Sequence, residues 1–117
     1  MAEVPRERQP DAPTIAESEL ADDVVIVDVR EPEEFAAGHA PHAVNIPLGE
    51  LPSRVSELPE GAGPVVLACG GGGRGGRGTA WLNIMGIPAV NLRGGMRGWN
   101  AAGRPMVADD GGEPRFD

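Results

Sequence analysis

The sequence predicts an α/β domain built on a mostly parallel sheet with helices on both faces. Two aliphatic runs, at residues 24–29 and 64–69, have the composition of buried strands. Strand-like and helix-like segments alternate along the chain, which favours parallel strands joined by helical crossovers. The chain has 117 residues, enough for one hydrophobic core and too few for two.

The N-terminal segment predicts little regular structure before the first long strand. Residues 1–12 are charged and contain two prolines, so we expect a disordered tail. Residues 14–15 are interpreted as a short edge strand that leads into a helix over 17–21. Thr14 and Glu17 have the spacing of a capping box, which supports a helix start here.

The strongest strand in the sequence is the β-branched run at 24–29. A short helix follows it and ends by Gly38, because Pro32 suits a first helical turn and acidic residues surround it. Residues 44–46 predict a third strand, which Pro47 interrupts. This part of the chain therefore predicts strand, helix and strand in that order.

The remaining elements continue the alternation. In order they are a helix over 48–58, a strand over 64–69, a helix with its core at 79–85, a strand over 89–92 and a helix over 96–102. The domain is expected to span 13–106, followed by a disordered tail at 107–117. Since ligands of parallel sheets bind at the carboxyl ends of the strands, we expect Asp28, Asn45 and Cys69 to share one rim.

Cys69 is the only cysteine of the chain, and it ends the second aliphatic run. Unpaired backbone N–H groups at a helix N-terminus favour negative charge, so this position is expected to stabilise a thiolate. Gly70, Gly71, Gly72 and Gly73 follow directly. Glycine tolerates the positive φ values of a tight turn and leaves backbone amides bare for an anion. The sequence therefore predicts a nucleophilic cysteine in a loop of amides.

The glycine-rich stretch also allows less specific interpretations. Seven of the nine residues at 70–78 are glycine, which would suit a flexible linker. A cysteine that closes a strand is commonly a small buried hydrophobe. Gly75, Gly76 and Gly78 each disfavour helix by about 0.8–1 kcal/mol relative to alanine, so we expect a frayed first turn. The location of the glycines between an aliphatic strand and an apolar helix favours the functional interpretation.

The charge of the chain is unevenly distributed. The net charge is −8, which disfavours nucleic acid and anionic membranes as partners. Residues 1–68 carry fourteen acidic residues and four arginines, whereas residues 69–107 carry five arginines and no acidic residue. Because the basic block begins at Cys69, it indicates a small anionic substrate; a face solvated by arginine is the alternative.

Cysteine usage and hydropathy predict a cytoplasmic protein. One cysteine cannot form an intramolecular disulfide, which suits a reducing compartment. The N-terminal residues lack the apolar core of a signal peptide, and no run approaches the ~20 apolar residues of a membrane span. We therefore expect no membrane association.

Two nucleotide-binding motifs lack residues that they require. Gly70, Gly72 and Gly75 match G-x-G-x-x-G, but no acidic residue lies between Glu60 and Asp109 to bind a ribose. A phosphate-binding loop of the lysine type is excluded, because the chain contains no lysine.

Metal and cofactor sites are not predicted either. His39 and His42 with one distant cysteine supply too few ligands for a metal site. Nothing in the sequence places either histidine beside Cys69 as a catalytic base. We expect neither a metal nor a cofactor.

Several ordered motifs together resemble a single-domain rhodanese. They are Val27-Asp28-Val29-Arg30-Glu31 with Glu34-Phe35, Gly38-His39-Ala40-Pro41 with Asn45-Ile46-Pro47, the Cys69 loop with Gly72 and Arg74, Gly86, and Leu92-Arg93-Gly94-Gly95 with Trp99. The match covers about residues 14–105 and is more specific than any one motif. The resemblance implies a single rhodanese-like domain, a five-stranded parallel sheet flanked by helices, and a sulfurtransferase whose cysteine carries a persulfide.

The resemblance also assigns roles to the candidate site residues. Cys69 would attack the outer sulfur of thiosulfate or a similar anionic donor, carry it as a persulfide and pass it to a thiol or cyanide. The backbone amides from Gly70 to Arg74 would cradle that sulfur, and Arg74 would attract the donor. Asp28 and Arg30 would support the rim. A sulfur-relay protein is a further partner in this interpretation.

Two alternative functions are compatible with the same loop. A cysteine-dependent phosphatase or arsenate reductase would place arginine six positions after the cysteine, but here arginine comes at five and Gly75 at six. A persulfide carrier or interaction module, loaded by a partner protein, needs only the cysteine. Turnover with small donors would separate the enzyme from the carrier.

Overall fold

The two aliphatic runs of the sequence lie inside a five-stranded sheet, in a computed structural model that describes residues 3–116. The strands are β1 (Thr14–Ile15), β2 (Ile26–Asp28), β3 (Val44–Asn45), β4 (Val65–Ala68) and β5 (Ala89–Leu92). Their order across the sheet is β1-β5-β4-β2-β3, and every pairing is parallel. The two-residue strands β1 and β3 therefore form the edges, and the longer strands lie inside.

The helices cover both faces of this sheet. Within the described residues they are α1 (Pro32–Ala37), α2 (Gly73–Ile84) and α3 (Gly95–Ala101). Side chains alternate along the inner strands, so Val27 packs with Trp81 of α2 on one face and Ile26 packs with Trp99 of α3 on the other. The predicted parallel sheet with helices on both faces is confirmed. None of the helices in residues 3–116 combines the length and apolar character needed to cross a membrane.

The helix predicted over 17–21 is a single 3₁₀ turn, at Glu17–Glu19. The Ala16 N–H donates to the Glu19 carboxylate at 3.2 Å, so the predicted capping box of Thr14 and Glu17 is wrong in register. The backbone is extended at Leu20, with φ −108° and ψ 141°, so the turn ends there.

The helix predicted over 48–58 is also wrong, because the segment forms two 3₁₀ turns, at Leu48–Ser53 and Val55–Glu57. Pro52 lies inside the first turn and has no N–H to donate, so α-helical hydrogen bonds cannot continue through it. Leu51 is nevertheless fully buried, which anchors the segment on the face that α2 covers.

The start of α2 is earlier and more regular than predicted. The expected helix core at 79–85 is only the second half of α2, and the expected frayed turn is helical from Gly73. A Cβ atom at Gly75 would lie 2.2 Å from Asn91 Oδ1, and one at Gly78 would lie 2.7 Å from a leucine side chain of β4. These glycines let the helix approach the sheet closely, and that packing outweighs their poor helix propensity.

The N-terminal segment lies against α2. Val4 packs on the core beneath that helix, and Arg77 Nε donates to the Pro5 carbonyl at 2.7 Å. The disorder expected over 1–12 stays a prediction, and its first two residues lie outside the described part of the chain.

The C-terminal segment lies against α1. Val107 pairs with His39 in an antiparallel bridge, and the Arg115 N–H donates to the Ala37 carbonyl at 2.9 Å. The disorder expected over 107–117 likewise stays a prediction, and its last residue lies outside the described part of the chain.

Candidate active site

Cys69 lies between β4 and the turn that leads into α2 at Gly73. Only 2% of the residue is exposed. Because β4 is flanked by β2 and β5, Cys69 lies at the middle of the carboxyl edge of the sheet. Asp28 pairs with Asn45 on one side and Ala68 on the other, so the expected rim is formed by adjacent strand ends.

Two backbone amides donate hydrogen bonds to the sulfur of Cys69. The amide nitrogens of Gly72 and Gly75 lie 3.1 and 3.2 Å from Sγ. Gly75 belongs to the first turn of α2, where N–H groups have no carbonyl partner within the helix. Donors that converge in this way stabilise negative charge on the sulfur. The Gly75 amide was missed by the sequence analysis, and it stands where a phosphatase would need arginine.

Only Gly72 among the four glycines after Cys69 adopts a positive φ, at 120°. The expectation that Gly70, Gly71 and Gly73 serve the same conformational purpose is therefore wrong. A Cβ atom at Gly71 or Gly73 would meet no atom within 4 Å, so the space above these residues is open. Gly72 therefore provides the positive φ that the turn requires, and Gly71 and Gly73 leave the backbone there without side chains over it.

The first residues of α3 bind the carbonyl groups of the same loop. The Met96 N–H donates to the Cys69 carbonyl at 2.7 Å, and the Arg97 N–H donates to the Gly70 carbonyl at 3.0 Å. Gly95 has a φ of 60°, and a Cβ atom there would lie 2.5 Å from both carbonyl oxygens. Glycine at this position therefore allows α3 to hold the loop while two amides donate to the sulfur.

Arg74 forms a two-point ion pair with Glu34 of α1. Its Nη1 and Nη2 atoms lie 2.7 and 2.9 Å from the two carboxylate oxygens. The hydrogen bond from Arg74 lowers the pKa of Glu34 from 4.5 to about 2, and the same bond raises the pKa of Arg74. The guanidinium expected to attract an anionic donor therefore already has a carboxylate partner.

Arg30 and Asp28 form a buried ion pair beside the loop, with exposures of 2% and 0%. Arg30 Nε and Nη2 donate to the two carboxylate oxygens at 2.9 and 2.7 Å, and Nη2 also donates to the Gly38 carbonyl at 2.7 Å. Asn45 Nδ2 donates to the Asp28 and Arg30 carbonyls. A buried pair with so many partners ties the end of β2 to the end of α1.

Two cavities border the loop. One, of about 240 Å³, is lined by Arg30, Glu34, Gly70, Gly71, Arg74, Arg97 and Phe116. The other, of about 170 Å³, is lined on the loop side by Gly71, Gly72 and Gly73, and elsewhere by residues 8–14, by Gly76 of α2 and by Asn91, Arg93 and Gly94. We call the first the arginine cavity. It brings Gly70, Gly71, Arg74 and Arg30 of the predicted site together.

Several residues around the loop were missed by the sequence analysis. Asn91 of β5 is 7% exposed and its Nδ2 donates to the Gly72 carbonyl at 3.1 Å. The sequence did contain one indication of this role, because Asn91 is a polar residue inside the otherwise aliphatic run Ala89–Leu92. Glu34 belongs to the motifs of the resemblance but received no role there, because its contact with Arg74 joins distant parts of the chain. Arg97 gave no signal in the sequence.

Comparisons with known proteins agree with this fold. The family model of the rhodanese-like domain matches residues 12–102. A sulfurtransferase of Allochromatium vinosum is 42% identical over 95 residues, which cover 79% of this chain and 88% of that protein. The putative sulfur carrier protein YrkF of Bacillus subtilis is 39% identical over 75 residues, 63% of this chain and 40% of that protein. A rhodanese-related protein from Thermoplasma volcanium superposes with a TM-score of 0.73 at 28% identity, over 81% of this chain and 97% of that one. The chain therefore belongs to the rhodanese-like domain family.

Proposed function

We propose that the protein is a sulfurtransferase that carries sulfane sulfur as a persulfide on Cys69. The two amide hydrogen bonds to Sγ, at 3.1 and 3.2 Å, carry this proposal. The thiolate is the nucleophile in sulfur exchange, and these donors favour it. The relative named sulfurtransferase supports the same function.

The proposed reaction has two half-reactions. The Cys69 thiolate attacks the outer sulfur of an anionic donor such as thiosulfate, the S–S bond of the donor breaks, and its electron pair leaves with sulfite. Cyanide or a thiolate then attacks the outer sulfur of the persulfide, and the electron pair of that bond returns to Cys69. Atoms and electrons balance without a further reactant. Since both halves share one enzyme form, we expect ping-pong kinetics.

The loop backbone offers room for the transferred sulfur. We place that sulfur against the amides from Gly70 to Arg74, where a Cβ at Gly71 or Gly73 would meet no atom within 4 Å. Arg30 lines the arginine cavity, and its buried ion pair with Asp28 supports the rim of this site. An uncovered backbone of this kind suits an anion.

Intact-mass measurement after incubation with thiosulfate tests the proposal. The wild-type protein should gain the mass of one sulfur atom, and cyanide should remove it and release thiocyanate. Cys69→Ser should do neither, because the nucleophile is lost. Failure of the wild-type protein to load from thiosulfate and from several other sulfane donors would contradict the proposal.

A persulfide carrier loaded by a partner protein is the second candidate. The relative named as a putative sulfur carrier supports it, and the pairing of Arg74 with Glu34 weakens the attraction of that arginine for small anions. Steady thiocyanate release with free thiosulfate would favour the enzyme. Loading only from a cysteine desulfurase, with no turnover on thiosulfate, would favour the carrier.

A further inference from the structure

The arginine cavity contains three guanidinium groups that differ in their partners. Arg30, Arg74 and Arg97 all line it, together with the loop residues Gly70 and Gly71. An anionic donor that approaches Cys69 through this cavity meets all three. Which of them attracts it depends on how much of each charge is already neutralised.

Two of the three guanidinium groups are neutralised by carboxylates. Arg30 is 2% exposed and is held by Asp28 and by the Gly38 carbonyl. Arg74 uses both terminal nitrogens on the two oxygens of Glu34. A donor could bind either arginine only by displacing a carboxylate that is already well placed.

Arg97 differs because its guanidinium has no carboxylate within ion-pair distance anywhere in residues 3–116, and its side chain is exposed. Its backbone is nevertheless fixed beside the loop, since its N–H donates to the Gly70 carbonyl at 3.0 Å. Of the three arginines that line the cavity, Arg30 is paired with Asp28 and Arg74 with Glu34. The single remaining positive charge belongs to Arg97.

We propose that Arg97, rather than Arg74, attracts the anionic sulfur donor to Cys69. This inference rests on the proposed sulfur transfer at Cys69 and adds the residue that selects the donor by charge. In this arrangement the Arg74–Glu34 pair forms one wall of the cavity and stays intact. Arg97 gives the arginine cavity an unpaired positive charge although the net charge of the chain is −8, so anions concentrate at the opening of this cavity.

Alkylation of Cys69 tests the inference without requiring sulfur transfer. Iodoacetate is an anion and iodoacetamide is neutral, yet both modify the same thiol. Arg97→Gln should slow iodoacetate about threefold to tenfold at low salt, the size expected for one charge several ångströms away in a partly solvated site. The iodoacetamide rate should stay within about twofold of the wild-type rate, since this reagent carries no charge. Arg97→Lys should restore most of the iodoacetate rate.

Arg93→Gln is the matched control, because Arg93 is also exposed but lines the other cavity. It should leave the ratio of the two alkylation rates near the wild-type value. The inference is overturned if Arg97→Gln slows both reagents equally and so leaves the ratio of the iodoacetate rate to the iodoacetamide rate unchanged. It is also overturned if Arg93→Gln changes that ratio as much as Arg97→Gln does. A thiol that neither reagent modifies would overturn it too, since the cavity would then not lead to the sulfur.

Sulfur loading separates this inference from the proposed function. If iodoacetate depends on Arg97 but thiosulfate never loads Cys69, the charge role of Arg97 stands and sulfur transfer from thiosulfate fails. If thiosulfate loads Cys69 at the same rate in Arg97→Gln as in the wild-type protein, sulfur transfer stands and the role of Arg97 fails.

Discussion

Gly75 serves the candidate site in two ways at once. Its N–H lies 3.2 Å from the Cys69 sulfur, and its Cα faces Asn91 of β5 so closely that no side chain fits. Asn91 in turn donates to the Gly72 carbonyl. The residue with the smallest side chain therefore sets the distance between the helix start and the sheet, and with it the position of one donor to the sulfur.

Gly75→Ala is expected to destabilise the protein by about 1–3 kcal/mol, as overpacked core positions do. Its Cβ would lie 2.2 Å from Asn91 Oδ1, so the first turn of α2 must move. That movement should also withdraw the amide from Sγ and slow sulfur loading. Urea unfolding and thiosulfate loading measure the two effects.

Gly73→Ala is the control in the same helix. A Cβ at Gly73 meets no atom within 4 Å, and helix propensity predicts that alanine stabilises α2 by up to ~1 kcal/mol. Equal destabilisation by the two substitutions would show that packing against Asn91 is not the reason for glycine at 75.

At the scale of elements, α1 and α2 are joined at the mouth of the site by the Arg74–Glu34 pair. The two side chains are 36% and 32% exposed, so water weakens their attraction without abolishing it. The pair spans two helices that follow different strands, and it holds one wall of the arginine cavity.

The Arg74–Glu34 pair should make the free energy of unfolding depend on pH below neutrality. The pKa of Glu34 is lowered to about 2 in the folded protein, from 4.5, chiefly by its hydrogen bond with Arg74. A lowered pKa stabilises the fold fully above about pH 4.5, and this contribution is lost as the pH falls towards 2. Glu34→Gln should therefore be less stable than wild type at pH 6, and the difference should shrink across that window. Urea unfolding at several pH values measures it.

Glu33→Gln provides the comparison for this prediction. Glu33 is an exposed neighbour in the same helix and forms no ion pair within the described residues. Its substitution should change stability little at any pH. A stability difference for Glu34→Gln that persists unchanged down to pH 2 would contradict the assigned cause.

At the scale of the whole molecule, both ends of the described chain return to the domain near the site. The N-terminal segment packs on α2. At the other end, Phe116 lines the arginine cavity, and its ring centroid lies 5.8 Å from the Arg30 guanidinium carbon. The two terminal segments thus both contribute to the surroundings of the Cys69 loop.

Hydrogen exchange will show whether the C-terminal segment is ordered in solution. The amides of Val107, Asp109 and Arg115 each donate at 2.9 Å to carbonyls of residues 36–39. We expect them to exchange roughly tenfold or more slowly than in an unstructured peptide. Exchange of all three at the peptide rate would instead support the disorder expected from composition.

The sequence by itself determined the fold class, the order of the strands along the chain and the place of Cys69 at a strand end. These features follow from local patterns, such as the aliphatic run at 64–69 and the proline and glycine residues that end elements. The strand Ala89–Leu92 was predicted with the bounds that the structure shows.

Only the tertiary structure decided which amides face the sulfur, where α2 begins and which arginine of the arginine cavity has no carboxylate partner. Glu34 neutralises Arg74 from 40 positions away, and Asn91 meets Gly75 from a different strand. Such contacts depend on how helices pack on the sheet, and packing overrides local propensity because burial and charge pairing contribute more than a residue's preference for helix.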